Sequence, residues 1–291
     1  MDWQQGYIAV DWGTTNRRAY RMERGQSVAQ FADDLGLLSI RPGGFAEAVQ
    51  DVRDRLGDLP MLLAGMVGSN RGWHEAPYAE CPAGPAELAA SLLWVDSRTG
   101  IVPGVCQRGE HGPDVMRGEE IQLVGGIAAG LIPDQAIVCH PGTHAKWVEV
   151  QDGRIARFRT MMTGEVFALL RSHSILAAAL GDAVEPGADF DAGVSQALAG
   201  EPLLSGLFRI RARGLLDVTT FNAAAHASGL LIGNEVVGAL RKFGGEPVIV
   251  IGRGDLCELY ARALNLAGCT SRCINGNAAF LAGANCLTER L

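Results

Sequence analysis

The sequence predicts an α/β protein built from two similar halves, and two observations support this prediction. Apolar runs typical of strands alternate with segments of helical apolar spacing along the whole chain. In addition, one pattern occurs once in each half, at 11–20 and 140–150: an apolar strand, then Gly-Thr, then a basic residue and a further strand. Chance similarity between two glycine turns is the simpler alternative.

The predicted elements follow from the spacing of apolar residues. Strands are expected at 7–10, 18–22, 27–31, 61–65, 136–140, 145–150, 154–160 and 247–252. Helices are expected at 44–56, 118–132, 164–180, 219–241, 254–267 and 277–288. Asp-Gly at 152–153 predicts a hairpin turn because these residues adopt positive φ angles readily.

The polar stretch 107–115 is the best candidate for a domain boundary. It predicts an N-terminal domain over 1–115 and a C-terminal domain over 116–291, with the last helix packing back on the first domain. A chain of 291 residues is long enough for two domains of ordinary size.

Composition excludes several classes of function. The formal net charge of −7 is spread without long blocks, which disfavours binding to nucleic acid or to an anionic membrane. No apolar run is long enough to span a membrane, and the first residues do not resemble a signal peptide, so we expect a cytoplasmic protein. Seven cysteines without a CxxC pair predict reduced thiols.

Two glycine- and threonine-rich turns are the main candidates for chemistry. Exposed backbone N–H groups beside a threonine hydroxyl form a concave anion site, and glycine lets the backbone approach the anion. Two such turns on opposite sides of one nucleotide would bind its β- and γ-phosphates. The candidate phosphate ligands are Gly13, Thr14, Thr15, Asn16 and Arg17 in the first turn, and Gly142, Thr143, His144 and Lys146 in the second.

Asp11 closes the first predicted strand and is the candidate ligand for Mg²⁺. This ion keeps much of its hydration shell and uses few protein carboxylates, so one aspartate at a strand end suits it. The alternative is an aspartate that caps a turn through a local backbone bond.

A third candidate phosphate or nucleoside segment is the strand-to-helix turn at 252–254. No GxxxxGK[ST] motif is present, and "GRGDLC" contains only the first half of a GxGxxG motif. Gly252 and Gly254 nevertheless leave space for a base or ribose to lie against the backbone, and Arg253 between them is a further candidate ligand. An ordinary turn capped by Asp255 is the alternative.

Two adjacent acids open the helix predicted after residue 117. Acids in a first helical turn commonly offset the helix dipole, and that is the simpler interpretation. A helical projection places Glu120 near the edge of the buried face and Glu119 away from it. A carboxylate at such an edge has a raised proton affinity and suits a general base, so Glu120 is preferred over Glu119.

Several polar and aromatic residues are candidates for binding an acidic substrate. A loop at 65–78 combines hydrogen-bond donors with a tryptophan, which suits a sugar-like ligand, although a loop closed by a buried tryptophan is equally consistent. Guanidinium groups bind carboxylates in a bidentate fashion, although solvated surface charge explains most arginines. The candidates are Ser69, Asn70, Arg71, Trp73, Arg117 and Arg159.

The order of these motifs resembles the sugar kinase/actin/Hsp70 ATPase superfamily. More narrowly, the chain resembles the 2-dehydro-3-deoxygalactonokinase family from residue 7 to about residue 286. The segments that carry this resemblance are "IAVDWGTTNRRAY", "LAGMVGSNRGW", "VMRGEEIQL", "PGTHAKWV", "FRTMMTGE" and "SGLLIGNEV".

The resemblance implies two ribonuclease-H-like domains, each a mixed sheet flanked by helices, with a cleft between them. It implies phosphorylation of 2-dehydro-3-deoxy-D-galactonate at the 6-hydroxyl with ATP and Mg²⁺. In such a reaction we expect Lys146 or Arg17 to offset the developing charge. Many related sugar kinases have an aspartate base where this chain has Glu119 and Glu120, so the choice between the two acids stays open. Glu165 either contacts substrate or caps its helix with Thr163.

Three alternatives remain at this stage. A kinase of the same architecture acting on another sugar or sugar acid fits the same motifs. A nucleotide-dependent regulatory or binding module would use ATP without an acceptor. The oligomeric state also stays open, with a homodimer as one expectation.

Overall fold

The computed structural model describes residues 3, 5–109, 112–216, 221–244, 247–252 and 254–291. Within these ranges the strands are β1 (Tyr7–Trp12), β2 (Arg17–Glu23), β3 (Gln26–Asp33), β4 (Met61–Gly65), β5 (Tyr78–Glu80), β6 (Leu93–Asp96), β7 (Thr99–Ile101), β8 (Gly104–Gln107), β9 (Asp114–Met116), β10 (Ala136–His140), β11 (Ala145–Gln151), β12 (Arg154–Met161), β13 (Val248–Gly252) and β14 (Ser271–Asn275). The helices are α1 (Phe45–Leu56), α2 (Pro85–Ala90), α3 (Glu119–Ala128), α4 (Thr163–His173), α5 (Ala188–Leu198), α6 (Leu203–Leu215), α7 (Ala223–Phe243), α8 (Gly254–Leu266) and α9 (Gly276–Thr288). None of these helices combines the length and apolar composition needed to cross a membrane.

Two compact units divide the chain, and the division is not a single cut. The first unit contains Met1–Gln135, Val150–Phe158 and Gly276–Leu291, and the second contains Ala136–Glu149 and Arg159–Asn275. The predicted boundary at residue 115 differs from this division because α3 belongs to the first unit. There α3 packs on α9 at backbone contact: a Cβ on Gly125 would lie 1.9 Å from the Ala279 carbonyl oxygen.

The stretch 107–115 is not a linker. Strand β8 ends at Gln107 and β9 begins at Asp114, and the two strands pair antiparallel in a three-stranded sheet of order β5-β8-β9. Residues 110 and 111 lie outside the described residues. The polar stretch therefore connects two strands of one unit.

The first unit is built on a six-stranded mixed sheet of order β3-β2-β1-β4-β7-β6. Strand β1 pairs antiparallel with β2 and parallel with β4. The first four residues of β1, Tyr7 to Val10, are buried and largely apolar. Trp12, at the end of the strand, packs in a core that also contains residues of α1. Asp11 is thus placed near the carboxyl end of a central strand.

A five-stranded sheet of order β12-β11-β10-β13-β14 contains the strands of the second unit, although Val150–Phe158, with most of β12, belongs to the first unit. Strand β13 pairs parallel with both β10 and β14. Its core includes Trp147, Phe190, Val236 and Tyr260, contributed by β11, α5, α7 and α8. This core supports the strand that follows the second Gly-Thr turn.

The two large sheets repeat one local topology, as the sequence pattern predicted. In each sheet a strand leads through a four-residue bend to a second strand, and a two-residue turn leads to a third. The turn residues Arg24, Gly25, Asp152 and Gly153 all have φ between 50° and 77°. The hairpin turn predicted at 152–153 is therefore confirmed.

Candidate functional site

The first bend, residues 13–16, joins β1 to β2 and is supported from below by the segment that follows β3. The amide of Gly13 donates to the Asn16 carbonyl at 2.9 Å, and the amides of Leu37 and Leu38 donate to the carbonyls of Gly13 and Thr14. Thr14, Thr15 and Asn16 are exposed. Backbone hydrogen bonds therefore hold one side of the bend. The other side exposes the hydroxyls of Thr14 and Thr15 and the side-chain amide of Asn16.

Arg17 does not lie at this bend, which corrects its assignment as a phosphate ligand. Its side chain is fully buried, and its guanidinium donates to both oxygens of Asp33, to Asp51 and to the Ala48 carbonyl. In β2 the side chains alternate between the two faces, and Arg17 falls on the face covered by α1. Arg17 ties β2 to β3 and α1.

Replacing Arg17 with methionine should lower the free energy of unfolding by on the order of 3 kcal/mol, because it leaves two carboxylates without their buried partner. Denaturation in urea measures this change. Arg55→Met is the matched control, since Arg55 contacts the same two aspartates from an exposed position and should cost less than about 1 kcal/mol. If Arg17→Met kept its stability but bound ATP more weakly, Arg17 would be reassigned as a phosphate ligand.

Asp11 is partly exposed at the carboxyl end of β1, with Arg18 Nη1 3.5 Å from its Oδ2. Burial raises the pKa of this carboxyl, the Arg18 charge opposes that shift, and the negative charge of Glu119 adds to it. Repulsion between Asp11 and Glu119 is relieved by a bound cation, so the pair fits a Mg²⁺ ion that keeps most of its waters. The described residues contain no cluster of three potential metal-binding side chains.

The two acids of α3 occupy different environments. Glu120 is fully buried rather than at the edge of the buried face, and its Oε2 accepts from the Gly118 amide at 2.6 Å. Its Oε1 has no hydrogen-bond partner among the described residues. Burial, aided by the charge of Glu119, raises the pKa of Glu120 to about 8. Glu119 is half-buried and accepts from the Arg117 amide at 3.1 Å.

The predicted substrate loop follows β4. Ser69 is buried and its hydroxyl donates to the Met66 carbonyl, so this side chain shapes the loop. Asn70 and Arg71 are exposed. Trp73 packs against the core of the first unit, as the simpler interpretation of the sequence expected.

Arg117 is only partly paired. Its Nη2 donates to the Ala76 carbonyl at 2.7 Å, and its guanidinium lies 4.4 Å from the centre of the Tyr78 ring. Its Nε and Nη1 are buried with no acceptor among the described residues. A guanidinium with an unpaired edge is suited to a carboxylate ligand.

The second bend, residues 141–144, joins β10 to β11 and rests on the start of α4. The Glu165 amide donates to the Thr143 carbonyl at 2.9 Å, and a Cβ on Gly164 would lie 2.5 Å from the Gly142 carbonyl oxygen. Only glycine at 164 allows this close approach. Thr143 is exposed and Gly142 is half-buried.

Two titratable side chains of the same unit, those of Glu165 and Lys146, contact this second bend. His144 Nε2 lies 2.5 Å from Glu165 Oε2, so the Glu165 carboxylate contacts the bend and does not cap its own helix. Lys146 is buried, and its Nζ donates to the His144 carbonyl at 3.2 Å. Arg159 is half-buried on β12.

Two of the three candidate residues in the strand-to-helix turn after β13 lie among the described residues. Gly252 ends β13, and a Cβ there would lie 3.4 Å from Cys257 Sγ. Gly254 begins α8. Arg253 lies outside the described residues.

One polar group of the second unit, the buried carboxyl of Glu235 in α7, was not predicted from the sequence. Its oxygens accept hydrogen bonds from Trp147 and Tyr260. The available signal was a single acid within a long apolar helix in the segment "SGLLIGNEV".

Comparison with known proteins gives consistent matches over nearly the whole chain. The sequence profile of the 2-keto-3-deoxy-galactonokinase family matches residues 11–287. A Rhizobium meliloti protein described as a probable 2-dehydro-3-deoxygalactonokinase is 38% identical over 95% of this chain and 94% of its own. The 2-dehydro-3-deoxygalactonokinase of Escherichia coli is 36% identical, with 95% of each chain covered.

Solved structures give the same result and confirm the predicted α/β fold. A crystal structure from Sinorhizobium meliloti, described provisionally as a 2-dehydro-3-deoxygalactonokinase, matches with a TM-score of 0.90 and 35% identity over 98% of this chain and 96% of its own. The activator of 2-hydroxyisocaproyl-CoA dehydratase from Clostridium difficile, solved with bound ADPNP, matches with a TM-score of 0.53 and 10% identity over 98% of this chain and 95% of its own. The second match shows likeness of fold alone.

Proposed function

Because the chain belongs to the 2-keto-3-deoxy-galactonokinase family, we propose that it transfers the γ-phosphoryl group of ATP to the 6-hydroxyl of 2-dehydro-3-deoxy-D-galactonate, in galactonate catabolism. The observation that carries this proposal is the pair of Gly-Thr bends, one in each unit, each between two strands and each supported on its inner side by backbone contacts. Such bends are suited to phosphate oxygens.

In the first unit, the exposed hydroxyls of Thr14 and Thr15 bind phosphate oxygens, with the backbone of Gly13 and the amide of Asn16 beside them. Asp11 holds Mg²⁺, mainly through water, with Glu119 close enough to share its charge. When bound, the ion neutralises charge on the phosphates. Arg17 has no part in this proposal, because the core ion pairs occupy its guanidinium.

In the second unit, Gly142 and Thr143 bind phosphate oxygens through the backbone and the exposed hydroxyl. Lys146 lies directly behind this bend and places a positive charge near the phosphates. Gly252 and Gly254 leave a surface without side chains for the nucleoside, and Arg253 is a further candidate ligand.

The acceptor sugar acid is bound mainly by side chains of the first unit. Arg117 supplies an unpaired guanidinium edge for the carboxylate, and the exposed Asn70 and Arg71 supply donors for hydroxyl groups. Arg159 and Glu165 are further candidates in the second unit, while Ser69 and Trp73 shape the loop. Glu120 accepts the proton of the 6-hydroxyl, although positioning and electrostatics supply much of the rate enhancement in phosphoryl transfer.

An ATP-consumption assay over a panel of sugar acids, including both C4 epimers and neutral hexoses, tests the proposed function. We expect turnover with 2-keto-3-deoxy sugar acids and none with hexoses. Preferred turnover of a neutral hexose would support a kinase of the same fold with another substrate. Slow ATP hydrolysis that no sugar acid accelerates would support the regulatory module instead.

We further propose that the enzyme acts in the cytoplasm as a homodimer. Free cysteines throughout the chain fit a reducing compartment. On α6, Leu204, Phe208 and Leu215 are 80%, 60% and 62% exposed. Together with Arg211 they have a 4-3-4 spacing that places them on one face of the helix, where the same patch of a second copy could pack across a twofold axis. A solution mass of twice 30.8 kDa is the expected result.

A further inference from the structure

A single buried acid interrupts the apolar surface of α7, the longest helix in the described residues. Glu235 is 5% exposed and lies within the core of the second unit. Removing a carboxylate from water costs several kcal/mol unless hydrogen bonds replace the lost solvation. Burial of Glu235 therefore lowers the stability of the fold unless hydrogen-bond partners compensate.

Three donors from three different elements provide this compensation. Trp147 Nε1 in β11 donates to Oε1 at 2.8 Å, and Tyr260 Oη in α8 donates to Oε2 at 2.9 Å. The Thr163 side chain, at the start of α4, makes a further hydrogen bond to the carboxylate. Both carboxylate oxygens are thus occupied by groups of this unit.

Each partner belongs to an element that holds part of the proposed nucleotide site. Trp147 directly follows Lys146 at the start of β11. Thr163 begins the helix whose next residues support the second bend, through the Glu165 amide and the close approach of Gly164. Tyr260 lies on the helix that begins at Gly254, after the glycine turn that ends β13.

We propose that Glu235 is a positioning residue for the nucleotide: it fixes the second Gly-Thr bend and the start of α8 relative to each other. The inference rests on the proposed function, because it assigns both elements to ATP. A carboxylate suits this task better than an amide, since its two oxygens accept from three donors at once. A glutamine replaces one accepting oxygen with an NH₂ group, which cannot accept, and so removes the hydrogen bond that this oxygen accepts.

Glu235→Gln tests this proposal. We expect KM for ATP and the Kd of a non-hydrolysable ATP analogue to rise about tenfold, as the weakening of a hydrogen bond to a charged group predicts, while KM for the sugar acid stays unchanged. Tyr260→Phe removes one donor with little change of shape and should raise the same two constants. The double variant should be less impaired than the product of the single effects, because both act through one network.

Phe190→Leu is the matched control, since Phe190 is fully buried in the same core but lies in α5, which carries neither the bend nor the glycine turn. It should lower the stability without a selective rise in KM for ATP. The proposal would be overturned if folded Glu235→Gln kept the wild-type KM for ATP and analogue Kd. Equal rises of KM for ATP and KM for the sugar acid would also overturn it. If Glu235→Gln fails to fold, Tyr260→Phe decides by the same criteria.

Failure of the proposed function gives a different result. An inactive wild-type chain that binds the ATP analogue would contradict the sugar-acid kinase reaction, whereas the analogue Kd values of the variants would still test Glu235.

Discussion

Asp11→Asn should abolish turnover while the protein remains folded. The amide has the shape of the carboxyl group but no charge, so it cannot hold the hydrated Mg²⁺ that neutralises the phosphates. This contribution is worth several kcal/mol, and we expect kcat with Mg-ATP to fall by about 10³-fold or more. Steady-state kinetics measure the loss, and thermal unfolding measures the fold.

Replacing the Asp11 carboxylate with a neutral amide should not destabilise the protein. Burial raises the pKa of this carboxyl, so its ionised form lowers stability progressively as the pH rises above its unfolded pKa. The neutral asparagine removes that cost. Asp58→Asn is a matched control, because Asp58 is exposed and pairs only with arginines in the described structure. Activity of Asp11→Asn near the wild-type level would contradict the metal role.

Glu120→Gln should lower kcat by ~10²–10⁴-fold, the usual contribution of a general base. Because the pKa of Glu120 is raised to about 8, most of the wild-type carboxyl is protonated at pH 7 and cannot accept a proton. The wild-type rate should therefore increase with pH up to and beyond 8, and the residual rate of Glu120→Gln should lack this increase. A pH profile of kcat measures both effects.

Glu119→Gln is the comparison that assigns the base. If Glu119 serves mainly the cation, its replacement should raise the Mg²⁺ concentration needed for half-maximal rate and leave the increase of rate with pH in place. A loss of the pH-dependent rate in Glu119→Gln, with near-normal activity in Glu120→Gln, would transfer the role of base to Glu119.

The stability of Glu120→Gln provides an independent check on the burial of this carboxyl. The folded state binds the proton more tightly than the unfolded state, so the stability contributed by the protonated group is lost between pH 4.5 and about 8. Glutamine is neutral throughout. The variant should therefore gain stability relative to the wild type as the pH rises over this interval, measured by urea denaturation.

The repeated strand–bend–strand unit could be predicted from sequence because its determinants are local. Buried apolar runs specify β1 and β10, and Asp-Gly specifies the turn at 152–153. The predicted helix 164–180 ends at His173, and its C-terminal part forms tight turns. The strands β5 to β9 and β14 and the helices α2, α5 and α6 were missed. All of these strands are three to five residues long and show little periodicity.

The candidate site was only partly predictable because side-chain environments depend on distant residues. The burial of Arg17 requires Asp33, Asp51 and α1, none of which a motif search connects to it. Glu120 is fully buried, whereas the helical projection placed it only near the edge of the buried face, because a projection does not show how deeply other elements cover a residue. In both cases the residue type suggested a ligand-binding role, and long-range packing decided the environment.

The most direct test of the central claim is a ³¹P NMR spectrum of the reaction with ATP, Mg²⁺ and 2-dehydro-3-deoxy-D-galactonate. We predict loss of the γ-phosphate signal and appearance of a phosphomonoester split into a triplet by the two protons on C6. Inorganic phosphate in its place, or unchanged ATP, would contradict the account.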